Sequence, residues 1–136
     1  MPEYALRPVG WVSSPIRTFE DAPRQGSGAP PARIRVEDWS RRCWDELRTN
    51  DEIFVLTWLD RADRSVHETH PQDNEAIPLT GVFSTRSPDR PNPIGLHRTA
   101  ILSRDAESIE VSNLEVLDGT PVIDIKPVIQ ADERLG

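Results

Sequence analysis

Residues 94–126, Ile-Gly-Leu-His-Arg-Thr-Ala-Ile-Leu-Ser-Arg-Asp-Ala-Glu-Ser-Ile-Glu-Val-Ser-Asn-Leu-Glu-Val-Leu-Asp-Gly-Thr-Pro-Val-Ile-Asp-Ile-Lys, decide the fold. Ile94–Ser103, Ser108–Leu117 and Thr120–Lys126 each read as a strand, and short turns separate them. Asp118-Gly119 between the last two is a type I′ hairpin signal. Upstream, Leu79–Thr85 reads as another strand, joined to Ile94 by a proline-rich loop. Glu52–Leu59 (Glu-Ile-Phe-Val-Leu-Thr-Trp-Leu) is apolar on both faces, as expected of a strand buried on both sides or facing a partner. Ala32–Val36 alternates, and residues 4–12 read as a first strand. Residues 13–31 and 60–78 are loop-like. Only residues 37–48 predict a helix: Trp39, Cys43 and Leu47 recur every four residues, acids open the segment and Arg48 closes it. Strand follows strand, so the expected fold is all-β and mainly antiparallel: a single-sheet β-barrel of about six or seven strands with one short helix.

The 136 residues predict a single domain spanning 1–136. Hydrophobic residues are 36% and charged residues 29% of the chain, a balance that suits a folded body rather than a disordered one. No apolar run approaches the roughly 20 residues of a membrane span. Met1-Pro2-Glu3-Tyr4 has no basic stretch leading into an apolar core, so no signal peptide and a cytoplasmic location are expected. A lone cysteine, Cys43, excludes an internal disulfide and an all-cysteine metal site.

The formal net charge is −7. It divides as +1 over residues 1–49, −5 over 50–80, +2 over 81–98 and −5 over 99–136. Such a surface repels nucleic acid unless arginines converge on one face. All but Lys126 of the 16 cations are arginine, the side chain that forks onto carboxylates and phosphates. The 13 prolines are about twice the usual share of roughly 5% and punctuate shaped loops instead of forming a tract.

Four constellations could carry chemistry. In Gly81-Val-Phe-Ser-Thr-Arg86-Ser-Pro-Asp-Arg90-Pro-Asn92-Pro-Ile-Gly95-Leu96-His97-Arg98, prolines fix the backbone while Arg86, Arg90 and Asn92 project. Such a loop suits a flat, partly anionic ligand, or is simply a stiff strand connection. In Asp118-Gly119-Thr120-Pro121-Val-Ile-Asp124-Ile-Lys126-Pro, strand alternation puts Asp124 and Lys126 on one face, as a substrate-holding pair or an ordinary salt bridge. Pro23-Arg24-Gln25 lies in a Gly/Ser-rich loop, and the nearby Gly26-Ser27-Gly28 lacks the strand–turn–helix context of a dinucleotide site. His67-Glu68-Thr69-His70, with His97, has the wrong spacing for a helical zinc site, so no metal is expected.

Taken together and in order, the first three constellations resemble the TrmO/TsaA-like family over roughly Leu6 to Pro127. The resemblance implies a β-barrel that binds S-adenosylmethionine without a Rossmann domain, as a homodimer with the cofactor near the subunit interface. It implies an S-adenosylmethionine-dependent methyltransferase acting on N6 of a modified adenosine next to the anticodon of tRNA. A small-molecule methyltransferase and a non-catalytic S-adenosylmethionine-binding module are the alternatives. The family's cofactor residues fall on Pro23, Arg24, Gln25, Asp60, Arg61, Arg86, Leu96, Asp118, Gly119, Thr120 and Pro121. Arg90, Asn92, Asp124 and Lys126 are the expected substrate-side groups, and no catalytic residue is assigned. The chain departs from many relatives in having Asn50-Asp51-Glu52 for a Phe-Ser-His element and Val128 for tyrosine after Lys-Pro. The tRNA-modifying members often carry an additional C-terminal region, and this sequence ends at Gly136. The two-faced apolar segment Glu52–Leu59 and the four Trp residues agree with a homodimer, since such a surface needs covering.

Overall fold

The computed structural model describes residues 1–17 and 30–129. Its strands are β1 (Gly10–Ser13), β2 (Ala32–Val36), β3 (Glu52–Trp58), β4 (Glu68–Thr69), β5 (Thr80–Gly81), β6 (Ile94–Arg104), β7 (Ser108–Val111) and β8 (Pro121–Pro127). Six close into a barrel in the order β1-β2-β7-β6-β3-β8, with every neighbouring pair antiparallel. β4 and β5 form a separate two-stranded ribbon. Alternating residues point inward, and Val12, Ile34, Ile53, Val55, Ile101, Ile109, Val111 and Val122 fill the barrel. No helix of the described residues is long and apolar enough to cross a membrane.

The hairpin expected at Asp118-Gly119 is absent. β7 lies between β2 and β6, and β8 lies between β1 and β3, so the two never pair. β7 stops at Val111, Asn113 turns the chain through a φ of 56°, and residues 114–117 run on with Leu114, Val116 and Leu117 buried. Thr120 N–H donates to Leu117 O at 3.2 Å, and Gly119 has a φ of 85°. Asp118 lacks the positive φ that type I′ requires, and the pattern is that of a type II turn.

The helix is also different in kind. Asp38–Trp44 forms a 3-10 helix. It buries Ser40 and Trp44 and leaves Trp39 and Cys43 exposed, so the expected Trp39–Cys43 stripe faces water. The buried Trp44 indole decides the orientation, with its N–H donating to Ser40 Oγ at 3.0 Å. Arg104 on β6 closes the turn by donating to Trp44 O at 2.8 Å and to Leu47 O. The first strand starts only at Gly10. Before it, Trp39 Nε1 donates to Pro8 O at 2.9 Å, and the Arg7 guanidinium lies 4.0 Å from the Trp39 ring centroid. Leu79–Thr85 shrinks to the two residues of β5, followed by a 3-10 turn at Val82–Ser84.

Antiparallel closure has one consequence for function. β1, β3 and β7 run one way, and β2, β6 and β8 run the other. The β1–β2, β3–β6 and β7–β8 connections therefore meet at one end of the barrel. The β2–β3 and β6–β7 connections lie at the opposite end.

Candidate functional site

The expected cofactor residues that the structure describes lie toward that first end. Asp60, Arg61, Arg86, Arg90 and Asn92 are on the β3–β6 connection, and Asp118–Thr120 are on the β7–β8 connection, which leads into Pro121 at the start of β8. Pro23, Arg24 and Gln25 belong to the β1–β2 connection and lie outside the described residues. Leu96 lies near the start of β6.

The β3–β6 connection is stiffened by its own polar groups. Arg90 donates to Ser87 O at 2.8 Å, Val82 O at 2.8 Å and Thr85 O at 2.6 Å. The side chain expected to contact substrate is thus a strut that draws three loop carbonyls around one guanidinium. Asp89 accepts from Asp63 N–H at 2.8 Å, and Leu59 N–H donates to Pro93 O at 2.8 Å. Hydrogen bonds from Ser65 hold the Asp63 carboxyl below the usual carboxylate range. Arg64, which carries no sequence signal of its own, donates to Pro91 O at 2.7 Å and Asn92 Oδ1 at 3.1 Å. Only the fold, by bringing β3 beside β6, reveals it.

Asp118 is also partly structural. It accepts from Ser14 N–H at 2.9 Å and Arg17 Nη1 at 3.4 Å, tying the turn to the end of β1. Thr120 is buried, with its hydroxyl donating to Leu117 O at 2.7 Å, and Pro121 is buried too. Gly119 is exposed. Asp60, Arg61 and Arg86 are exposed, and among the described residues no acceptor meets the Arg86 guanidinium. An open depression beside this loop is lined by His67, Val82, Phe83 and Pro91.

Leu96 offers its backbone. Ile101 N–H donates to Asp51 O at 2.9 Å, toward the β3 side, whereas Ala100 O accepts from Ser112 N–H at 2.9 Å on the other side. The β3–β6 register is unbroken from Ala100 to Ile94, so alternation turns the N–H and C=O of Leu96 away from β3. β7 pairs with β6 only over Ile101–Arg104. Among the described residues the Leu96 donor and acceptor therefore meet no partner. The Leu96 side chain lies on the outer face, 46% exposed, beside Leu56 across the ladder. Trp58 pairs with Ile94 one step further on, and Phe54 completes an apolar stripe. Asp124 and Lys126 border it on β8, exposed and 3.8 Å apart, the same-face pair that strand alternation predicts.

The histidines lie apart in role. His97 Nε2 meets Thr57 Oγ1 at 2.9 Å, and His70 Nδ1 meets Ile77 O at 2.9 Å. Burial pushes the His97 pKa down to about 4. No group of three potential metal ligands occurs among the described residues.

The tRNA-methyltransferase O N-terminal domain family matches residues 11–133. The chain belongs to this family. A TrmO crystal structure from Pseudomonas aeruginosa superposes with a TM-score of 0.76 at 26% identity, over 97% of this chain and 59% of that one. The TrmO-family barrel here thus spans little more than half of that TrmO chain. A probable S-adenosyl-L-methionine-binding protein of Methanothermobacter thermautotrophicus is 42% identical over 135 residues, covering 98% of this chain and 96% of its own. An S-adenosyl-L-methionine-binding protein of Archaeoglobus fulgidus is 42% identical over 123 residues, covering 89% of this chain and 86% of its own.

Proposed function

We propose that this chain is an S-adenosylmethionine-dependent methyltransferase that works in the cytoplasm as a homodimer, with N6 of a modified adenosine next to the tRNA anticodon as its methyl acceptor. The observation that carries the reading is that the family's cofactor motifs within the described residues converge on one barrel end. The groups there match the cofactor's chemistry. Among the described residues the Leu96 backbone keeps a free donor–acceptor pair that suits the edge of an adenine, and the Arg86 guanidinium meets no acceptor and can share the carboxylate or hold the loop over the adenosine. S-adenosylmethionine supplies an electrophilic methyl on a sulfonium. The protein's part is to align the acceptor in line with that methyl and to exclude water, which needs positioning more than strong acid–base help. The apolar stripe of Phe54, Leu56, Trp58, Ile94 and Leu96 supports a second copy seated against this face.

A small-molecule acceptor is the second reading, and the charge distribution favours it. Arg41 and Arg42 lie at the far end and pair with Asp38 and Glu46, while Arg98 pairs with Glu52 on the barrel wall. These three arginines are engaged in ion pairs away from the candidate site. Calorimetry with S-adenosylmethionine in excess chelator tests cofactor binding, and no heat would refute it. Mass spectrometry of tRNA nucleosides from a deletion strain, with and without the gene restored, tests the acceptor. One methylated adenosine lost and recovered supports tRNA; an unchanged profile supports the small acceptor.

A further inference from the structure

Asn92 is held more firmly than an exposed side chain usually is. Pro91 and Pro93 flank it, and the residue before a proline is confined to extended backbone. Its main-chain oxygen accepts from Ile94 N–H at 2.7 Å. Its side-chain oxygen accepts from Arg64 Nη2 at 3.1 Å. Arg64 is itself fixed on two more sides. Nε donates to Pro91 O at 2.7 Å, and the guanidinium lies 5.2 Å from the Trp58 ring centroid, within cation–π range. One arginine from the loop after β3 therefore clamps the proline loop to the barrel wall.

The clamp decides which atom Asn92 presents. An amide has one acceptor oxygen and one nitrogen with two donors, and a guanidinium has only donors. The atom facing Arg64 is thus Oδ1, and Nδ2 turns outward. Asn92 is exposed, and among the described residues Nδ2 meets no acceptor. The side chain thus turns its two N–H groups outward, while Arg64 takes one lone pair of Oδ1. Arg64 beside it has no ion-pair partner among the described residues. A fixed double donor next to an unneutralised cation selects an anionic oxygen.

We propose that Asn92 Nδ2 binds the carboxylate of S-adenosylmethionine, and that Arg64 is the residue that positions it. The inference rests on the cofactor reading above, because the carboxylate is the one anionic group of that molecule. Arg64 acts through geometry: its planar fork reaches Pro91 O and Asn92 Oδ1 together, which a lysine ammonium at the end of a flexible stem does not reproduce.

The test is calorimetry with S-adenosylmethionine and with its decarboxylated analogue, on N92A, N92D, R64M, R64K and N92A/R64M, with thermal melts of each. Loss of a hydrogen bond to a charged group weakens binding about 10- to 150-fold. N92A and R64M should each lose about tenfold or more for S-adenosylmethionine, and the double variant should bind no worse than the weaker single one within about threefold. R64K should behave as R64M. N92D should melt at or above the wild-type temperature, because its carboxylate pairs with Arg64, yet bind as poorly as N92A; a merely structural role would not separate the two readouts. All variants should bind the decarboxylated analogue as wild type does. Unchanged affinity of N92A, equal losses for both compounds, or an undiminished R64M effect in the N92A background would each overturn the inference. Wild type that binds neither compound would overturn the cofactor reading and this inference with it, whereas wild-type binding with unchanged N92A would overturn this inference alone.

Discussion

Gly95→Ala should destabilise the barrel without touching the exposed site. Gly95 faces Thr57 across the β3–β6 ladder, and Thr57 is fully buried. The His97 ring folds back over Gly95 to reach Thr57 Oγ1 at 2.9 Å. A Cβ on Gly95 would overlap Thr57 Oγ1 and lie 2.7 Å from His97 Nε2, so the methyl would occupy the space of that hydrogen bond. Overpacking of this kind costs about 1–3 kcal/mol, and an orphaned buried hydroxyl costs about 1–3 kcal/mol more. Loss of glycine's freedom in the unfolded chain returns about 0.4–1 kcal/mol. Because the two penalties are alternative ways of relieving one clash, one of them less that return leaves a net of about 1.3 kcal/mol at mid-range and about 2.6 kcal/mol at most. For a domain of this size that is a fall in Tm of roughly 4 °C, and about 10 °C at most. Thermal unfolding followed by circular dichroism measures it. Gly81→Ala is the control: its Cβ would meet nothing within 4 Å and its φ is −56°, so its Tm should stay within about 2 °C of wild type. Adding His97→Ser to Gly95→Ala should recover part of the loss by freeing the ring's space. A Gly95→Ala protein as stable as Gly81→Ala would refute the β3–β6 register, and with it the outward turn of the Leu96 backbone.

Arg86→Ala should weaken S-adenosylmethionine binding about 10- to 150-fold in a calorimetric titration and leave Tm unchanged, since among the described residues the guanidinium holds nothing. Arg104→Ala should do the reverse, lowering Tm through loss of its bonds to Trp44 O and Leu47 O while cofactor affinity stays at the wild-type value. Arg90→Lys should reduce both Tm and affinity, because an ammonium cannot satisfy the carbonyls of Val82, Thr85 and Ser87 at once; an affinity equal to wild type would show that the loop keeps its shape without the guanidinium. His97 is held neutral by burial, with its pKa depressed from 6.5 to about 4, so the unfolded chain binds the extra proton first. Stability should therefore be full above about pH 6.5 and decline as the pH falls toward 4, and urea titrations of His97→Asn should show a shallower decline over that window. Leu56→Asp, on the outer apolar stripe, should shift light scattering from a dimer to the 15.4 kDa protomer; a wild type that is already monomeric at micromolar concentration would refute the homodimer.

Local pattern determined much of this protein. Alternation marked β2 at Ala32–Val36 and placed Asp124 and Lys126 on one outer face, and the long β6 run was legible from Ile94 onward, because inward and outward positions repeat every two residues whatever the partner strand. The ordered motifs pointed to the family for a similar reason: they are chemical groups at fixed spacing. Partners across the sheet were not legible. Asp118-Gly119 reads as a hairpin locally, but closing the barrel puts β8 between β1 and β3, and the turn serves a crossing instead. Trp39 and Cys43 read as a helical core stripe, but burying the Trp44 indole outweighs that period and rolls the turn over. Arg90 reads as a ligand group and becomes a strut once the loop bends its carbonyls inward. Arg64 reads as nothing, since its meaning depends on Trp58, Pro91 and Asn92, the last 28 positions away in the chain. Sequence spacing specifies which groups are available; only tertiary closure settles which of them are used up in holding the fold and which remain free to meet a ligand.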